Sequence, residues 1–167
     1  MIRTRTANLL GFGACVGMLG YAFFSQFVLK LEPCPLCIFQ RIGVLAMGLV
    51  FLAAFLHDPQ GGGRRVYAAL MTLASAATVA IAVRHLYIQS LPPGTVPACG
   101  ASLKFMLKVL PLNEVLSRVL NGSGECAIVN WRFLGLTMPA WVLACAAAVG
   151  ACGIWVNLRS TQPVARS

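Results

Sequence analysis

Four long apolar stretches set the terms for what this chain can fold into. They run from Asn8 to Leu29, Ile38 to Leu56, Val66 to Val83 and Pro139 to Leu158. Each has roughly 18–22 residues, near the length a helix needs to cross about 30 Å of hydrocarbon. The expected architecture is an all-α membrane protein. A four-transmembrane-helix bundle would form a single domain over residues 1–167, with connections at 30–37 and 84–138 on one side of the bilayer. The first stretch follows Arg3 and Arg5, as a signal peptide would. It is long for such a segment and ends without a small-x-small cleavage site, so it reads as an uncleaved span.

Composition agrees. The 167 residues are 59% hydrophobic and 10% charged, against about 25% charged in water-soluble domains. The formal charge of +9 is scattered, and its longest basic cluster is Arg64-Arg65. That excludes the basic stripe with interleaved aromatics that nucleic-acid binding uses. The excess suits helix-end anchoring and anionic lipid headgroups. In the long connection, Leu112, Val115, Leu116 and Val119 share one helical face opposite Asn113, Glu114, Ser117 and Arg118. Such a helix either lies in the membrane interface or packs on the rest of the connection.

Seven cysteines divide into two groups. Cys15, Cys145 and Cys152 lie inside apolar runs and read as small buried hydrophobes. Cys34, Cys37, Cys99 and Cys126 lie in polar or boundary segments. With four spans, the first and third connections share a side, so these four cysteines face one compartment. Basic residues divide almost evenly between the two sides and orient the chain weakly. Cysteine pairs persist as disulfides in an oxidising compartment such as the bacterial periplasm. The expectation is therefore a bacterial inner-membrane protein with both termini cytoplasmic.

Cys34-Pro35-Leu36-Cys37 has several chemical readings: half a zinc site, a haem attachment point, a redox dithiol or a structural disulfide. Haem attachment needs a histidine next, and Ile38 stands there. Zinc would draw on Cys99 and Cys126, which lack local ligand spacing. The redox reading gains from position. Pro35 suits the first turn of the second helix, with Cys34 near its cap and Cys37 in that turn. A helix N-terminus carries partial positive charge, which stabilises a thiolate. Arg41 follows Cys37 by four residues, on the same helical face. An arginine inside a span is a functional candidate. Together they would put an anionic sulfur beside a cation at the lipid boundary, where a polar-headed, lipid-soluble electron acceptor fits. Cys99 follows a proline-rich approach and Cys126 a glycine-rich turn, so a disulfide between them would be open to a partner's thiolate. A purely structural bridge there stays open as an alternative.

The chain resembles the DsbB family of disulfide bond formation proteins. The resemblance rests on Cys34-Pro35-Leu36-Cys37-Ile38-Phe39-Gln40-Arg41, the proline-rich approach to Cys99, and Glu125-Cys126 followed by Trp131 to Trp141. It implies a quinone-dependent thiol oxidase. Cys37 would face ubiquinone or menaquinone, supported by Arg41. Cys34 would exchange with the loop pair through Cys126. Cys99 would receive a periplasmic thioredoxin-fold oxidase of the DsbA type. His85 falls near a histidine that the family places by the quinone; otherwise it is an interfacial anchor beside Arg84. Gln40 receives no role. A DsbA-type partner is a strong oxidant, at about −120 mV, so its reoxidation needs a comparably oxidising acceptor. Competing readings are a quinone reductase of the vitamin K epoxide reductase type, a disulfide-stabilised scaffold without turnover, and a metal-binding membrane protein.

Overall fold

The computed structural model describes residues 4–92, 108–121, 124–129 and 131–159. Cys99 lies outside the described residues. Four long helices carry the fold: α1 (Thr4–Phe27), α2 (Pro35–His57), α3 (Gly62–Ser90) and, last in the chain, α6 (Met138–Arg159). Each is long and apolar enough to cross a membrane. Between α3 and α6 lie two short helices, α4 (Leu112–Asn121) and α5 (Gly124–Ala127), and a hairpin of β1 (Arg132–Phe133) and β2 (Leu136–Thr137). The strands pair antiparallel, Arg132 with Thr137 and Phe133 with Leu136. Leu134 and Gly135 turn the chain with positive φ at both positions, the geometry of a two-residue hairpin whose twist matches its strands.

The bundle is apolar on its surface as well as in its core, and a few polar side chains are buried among its helices. Leu10, Leu49, Leu73, Val83 and Trp155 point outward. Asn8, Ser25, Gln40, Ser75, Thr78, His85 and Asn157 are buried. Such a surface is matched to lipid, and its helices associate through close packing and interhelical hydrogen bonds. Small residues permit the close approach. A Cβ on Gly11 of α1 or Gly153 of α6 would lie 2.5 Å and 2.7 Å from the ring of Phe51, which reaches both helices from α2. A Cβ on Gly150 would run into Ser75, whose hydroxyl donates to the Ala146 carbonyl at 3.2 Å and joins α3 to α6. Asn157 of α6 donates to Asn8 Oδ1 of α1 at 3.2 Å, joining the first and last helices.

One boundary differs from expectation, and it bears on function. The third apolar run ends at Val83, yet α3 continues to Ser90. Arg84 interrupts the run without interrupting the helix, because its guanidinium turns outward over Tyr87, 5.2 Å from the ring centroid. Residues 84–90 therefore belong to a helix rather than to the long connection. Pro35, Leu36 and Cys37 form the first turn of α2, as expected. The amphipathic segment at 112–119 is a helix, and Val115 and Val119 are buried in a cluster with Cys34, Leu36, Ile88 and Cys126. That face packs on the bundle end.

Candidate active site

The site begins at the N-terminus of α2. Cys34 is the N-cap, in extended conformation, and Pro35 follows at the first helical position, where the missing N–H would have had no partner in any case. The Cys37 amide donates to Cys34 Sγ at 3.4 Å. Capping thus folds the two cysteines toward each other, and their sulfurs lie 3.1 Å apart. Cys34 is buried and Cys37 half-buried.

His85 approaches from α3. Its Nε2 lies 3.7 Å from Cys34 Sγ. Its Nδ1 is 3.2 Å from the Gln40 amide nitrogen. Both side chains are almost fully buried, at 2% and 3% exposure, so the ring is held by a polar contact on each side. Gln40 is the neighbour of His85 that sequence reasoning missed. Its signal was available: a polar residue within an apolar span that needs an interior partner. Of the two readings of His85, the interfacial anchor does not fit its burial, and the side chain lines the cavity. The extension of α3 carries it inward, while its neighbour Arg84 takes the surface position.

Arg41 lies one turn beyond Cys37, and both line the same cavity. Its guanidinium donates to Gln26 Oε1 and, at 2.9 Å, to the Ala22 carbonyl. It also sits over the Phe23 ring, 5.4 Å from the centroid. The cation is thus fastened to the last turns of α1, and α1 receives a fixed position relative to the cysteines.

The cavity has a volume of about 530 Å³. Its wall takes Tyr21 and Ala22 from α1, Cys34, Cys37, Gln40 and Arg41 from α2 and its cap, His85 and Gln89 from α3, and Trp141, Val142 and Cys145 from α6. Trp131 and Phe133 also line it. Trp131 bridges Tyr21 and Phe133 at centroid distances of 5.9 Å and 6.0 Å. The Trp141 indole donates to the Phe133 carbonyl at 3.1 Å, and Thr137 donates to Gln89 at 3.0 Å. The hairpin is therefore pinned to both α3 and α6.

Cys126 has no exposed surface and shares the buried cluster of Cys34, Val115 and Val119. This corrects the expectation of an accessible sulfur in a flexible turn. Gly124 and Glu125 belong to α5, and α4 lies over the cluster. Cys15 is buried as expected, but Cys145 is half-buried on the cavity wall and Cys152 is exposed. Of the residues expected at the site, Cys34, Cys37, Arg41 and His85 come together around one cavity, and Cys126 adjoins Cys34.

Residues 4–156 match the family described as disulfide bond formation protein DsbB. Among relatives, disulfide bond formation protein B of Chromobacterium violaceum is 49% identical over 155 residues, covering 93% of each chain. That of Marinobacter nauticus is 49% identical over 154 residues, covering 92% of each. That of Chromohalobacter salexigens is 51% identical over 140 residues, covering 83% of this chain and 81% of that protein. A match of this extent, over a bundle whose paired cysteines open onto a cavity between its helices, makes the chain a member of the DsbB family.

Proposed function

We propose that this protein reoxidises a periplasmic dithiol oxidase of the DsbA type and passes the electrons to a membrane quinone, ubiquinone or menaquinone, so sustaining disulfide bond formation. One observation carries the reading. Cys34 and Cys37 stand between two environments: the cavity on one side, and on the other the buried cluster that holds Cys126.

The cavity suits a quinone. Its volume falls within the roughly 300–1,000 Å³ of small-molecule sites, and such sites combine apolar walls with a few convergent polar groups. Arg41, Gln40 and His85 are those groups. Bound there, a quinone supplies an acceptor for two electrons and two protons. The protein's own sulfurs do the rest. A partner thiolate attacks Cys99 of a Cys99–Cys126 disulfide and releases Cys126 as thiolate. Cys126 attacks Cys34 of a Cys34–Cys37 disulfide and releases Cys37. The partner's second thiolate then frees Cys99, and Cys99 frees Cys126 from Cys34. Two electrons now reside on Cys34 and Cys37, and leave with two protons when that disulfide re-forms. Each exchange follows ordinary thiolate attack in line with a disulfide. The four cysteines face the periplasm in this scheme, with the termini in the cytoplasm of a bacterial inner-membrane protein.

Purified protein in detergent, mixed with a reduced thioredoxin-fold dithiol oxidase and a soluble quinone, should consume one quinone per partner dithiol. Partner oxidation that ignores the presence of quinone would overturn the proposal. In the same assay, Arg41→Leu should raise the quinone KM by about 10–100-fold, as loss of a charge-assisted hydrogen bond of about 1.5–3 kcal/mol requires. An unchanged KM would remove Arg41 from the quinone site.

A further inference from the structure

Cys34 Sγ, Cys37 Sγ and His85 Nε2 do more than line a cavity. A sulfur of each cysteine and a nitrogen of the histidine all lie within 4.8 Å of one another. The two sulfurs are 3.1 Å apart, and Cys34 Sγ is 3.7 Å from Nε2. A tetrahedral zinc ion with Zn–S of about 2.3 Å and Zn–N of about 2.0–2.1 Å wants its sulfurs about 3.8 Å apart and each sulfur about 3.6 Å from the nitrogen. The sulfur–sulfur and Cys34–His85 distances differ from those values by less than about 1 Å, and the third pair lies within 4.8 Å, so side-chain adjustments of about 1 Å reach that geometry.

We propose that the reduced site binds a borderline-soft divalent cation of the zinc class through Cys34 Sγ, Cys37 Sγ and His85 Nε2. The fourth position opens to the cavity that all three residues line, as in zinc sites that keep one ligand exchangeable. Soft thiolates with one imidazole select Zn²⁺ over Mg²⁺ or Ca²⁺. Binding is not a redox step. The ion displaces one proton from each thiol, both protons go to solvent, and His85 supplies a lone pair from its neutral ring.

Gln40 makes the site more than a coincidence of three ligands. A ligating histidine has its other ring N–H held by an acceptor, which fixes tautomer and ring direction. Gln40 already holds Nδ1 at 3.2 Å. Rotating its amide presents Oε1 in place of Nε2, so that the same side chain accepts from Nδ1–H when Nε2 carries the metal. The buried pair therefore serves either tautomer without moving a helix.

Metal and disulfide exclude each other, because both need the same two sulfurs. Only the doubly reduced chain can load, and loading withdraws Cys34 and Cys37 from exchange. That consequence for turnover rests on the proposed function; the binding itself rests on the geometry alone.

Cobalt reads the site directly. Full-length protein in detergent, reduced with a phosphine, should bind about one Co²⁺ per chain with sulfur-to-cobalt charge transfer and tetrahedral d–d bands. Zn²⁺ should displace it. Protein oxidised beforehand with quinone should show neither band. The bands should vanish in Cys34→Ser/Cys37→Ser. His85→Ala should weaken Co²⁺ binding by at least about tenfold, and Gln40→Glu should tighten it by about tenfold, the scale of effects at residues supporting a metal ligand. Three results would overturn the proposal: no charge-transfer band in reduced protein, bands that survive the double serine variant, or an affinity indifferent to His85→Ala in a variant that still melts cooperatively. Quinone-dependent partner oxidation, measured on the same preparation with chelator present, separates a failure of the catalytic reading from a failure of this one.

Discussion

Serine in place of Cys37 should lower quinone-dependent oxidation of a reduced partner by at least about a thousandfold, equivalent to roughly 4 kcal/mol or more in the barrier. An alcohol cannot form the disulfide whose closure releases two electrons, so the loss is chemical rather than structural. The substitution keeps the size of the side chain nearly intact at the first turn of α2, where Cys34 still caps and Pro35 still initiates. The variant should also trap an intermediate. In the variant the Cys34 thiolate can attack Cys126 of the Cys99–Cys126 disulfide and release Cys99 as thiolate; without Cys37 to displace it, the Cys34–Cys126 mixed disulfide should accumulate, because the two share one buried cluster. Non-reducing peptide mapping would detect it. Activity above about one-tenth of the parent, or a trapped bond from Cys34 to some other cysteine, would place the electron exit elsewhere.

Replacing Phe51 with alanine should cost about 3–5 kcal/mol of stability, the range for deleting a buried aromatic ring. Phe51 is 2% exposed, and its ring lies against Gly11 of α1 and Gly153 of α6. Neither glycine has a side chain that could move into the vacated space. Between helices in lipid the loss is chiefly one of packing contacts, since the surrounding tails are as apolar as the core. Reversible unfolding in mixed micelles would measure it. A change below about 1 kcal/mol would show that α1 and α6 close on each other without the ring. Cys34 and Cys37 stand at the other end of α2 from Phe51, so the quinone KM should hold while the folded fraction falls.

The helices and the first turn of α2 were legible in the sequence because they rest on local rules. Apolar length predicts spans, and cysteine–proline–x–cysteine at the start of such a run predicts a cap. What was less legible depends on direction. Hydropathy records that Arg84 is charged, not that it turns outward over Tyr87 while its neighbour His85 turns inward. The same blindness hid Gln40, which stands beside the conspicuous Arg41 yet makes the contact that fixes the histidine. Cys126 was misjudged for a different reason. Glycine and serine around it suggest an open turn, but its burial comes from Val115 and Val119 of a separate helix. The periodicity of that helix showed an apolar face without showing what the face would cover.

The asparagine bridge between Asn8 and Asn157 spans almost the full length of the chain. Its consequence concerns biogenesis. Ribosomal synthesis delivers Cys34 and Cys37 long before Asn157 exists. The cavity takes Trp141, Val142 and Cys145 from the last helix, so the nascent protein has its dithiol while the chamber beside it is still missing a wall. Closure by the final span therefore comes last: a truncated or stalled chain carries Cys34 and Cys37 but lacks the part of the cavity wall that Trp141, Val142 and Cys145 supply.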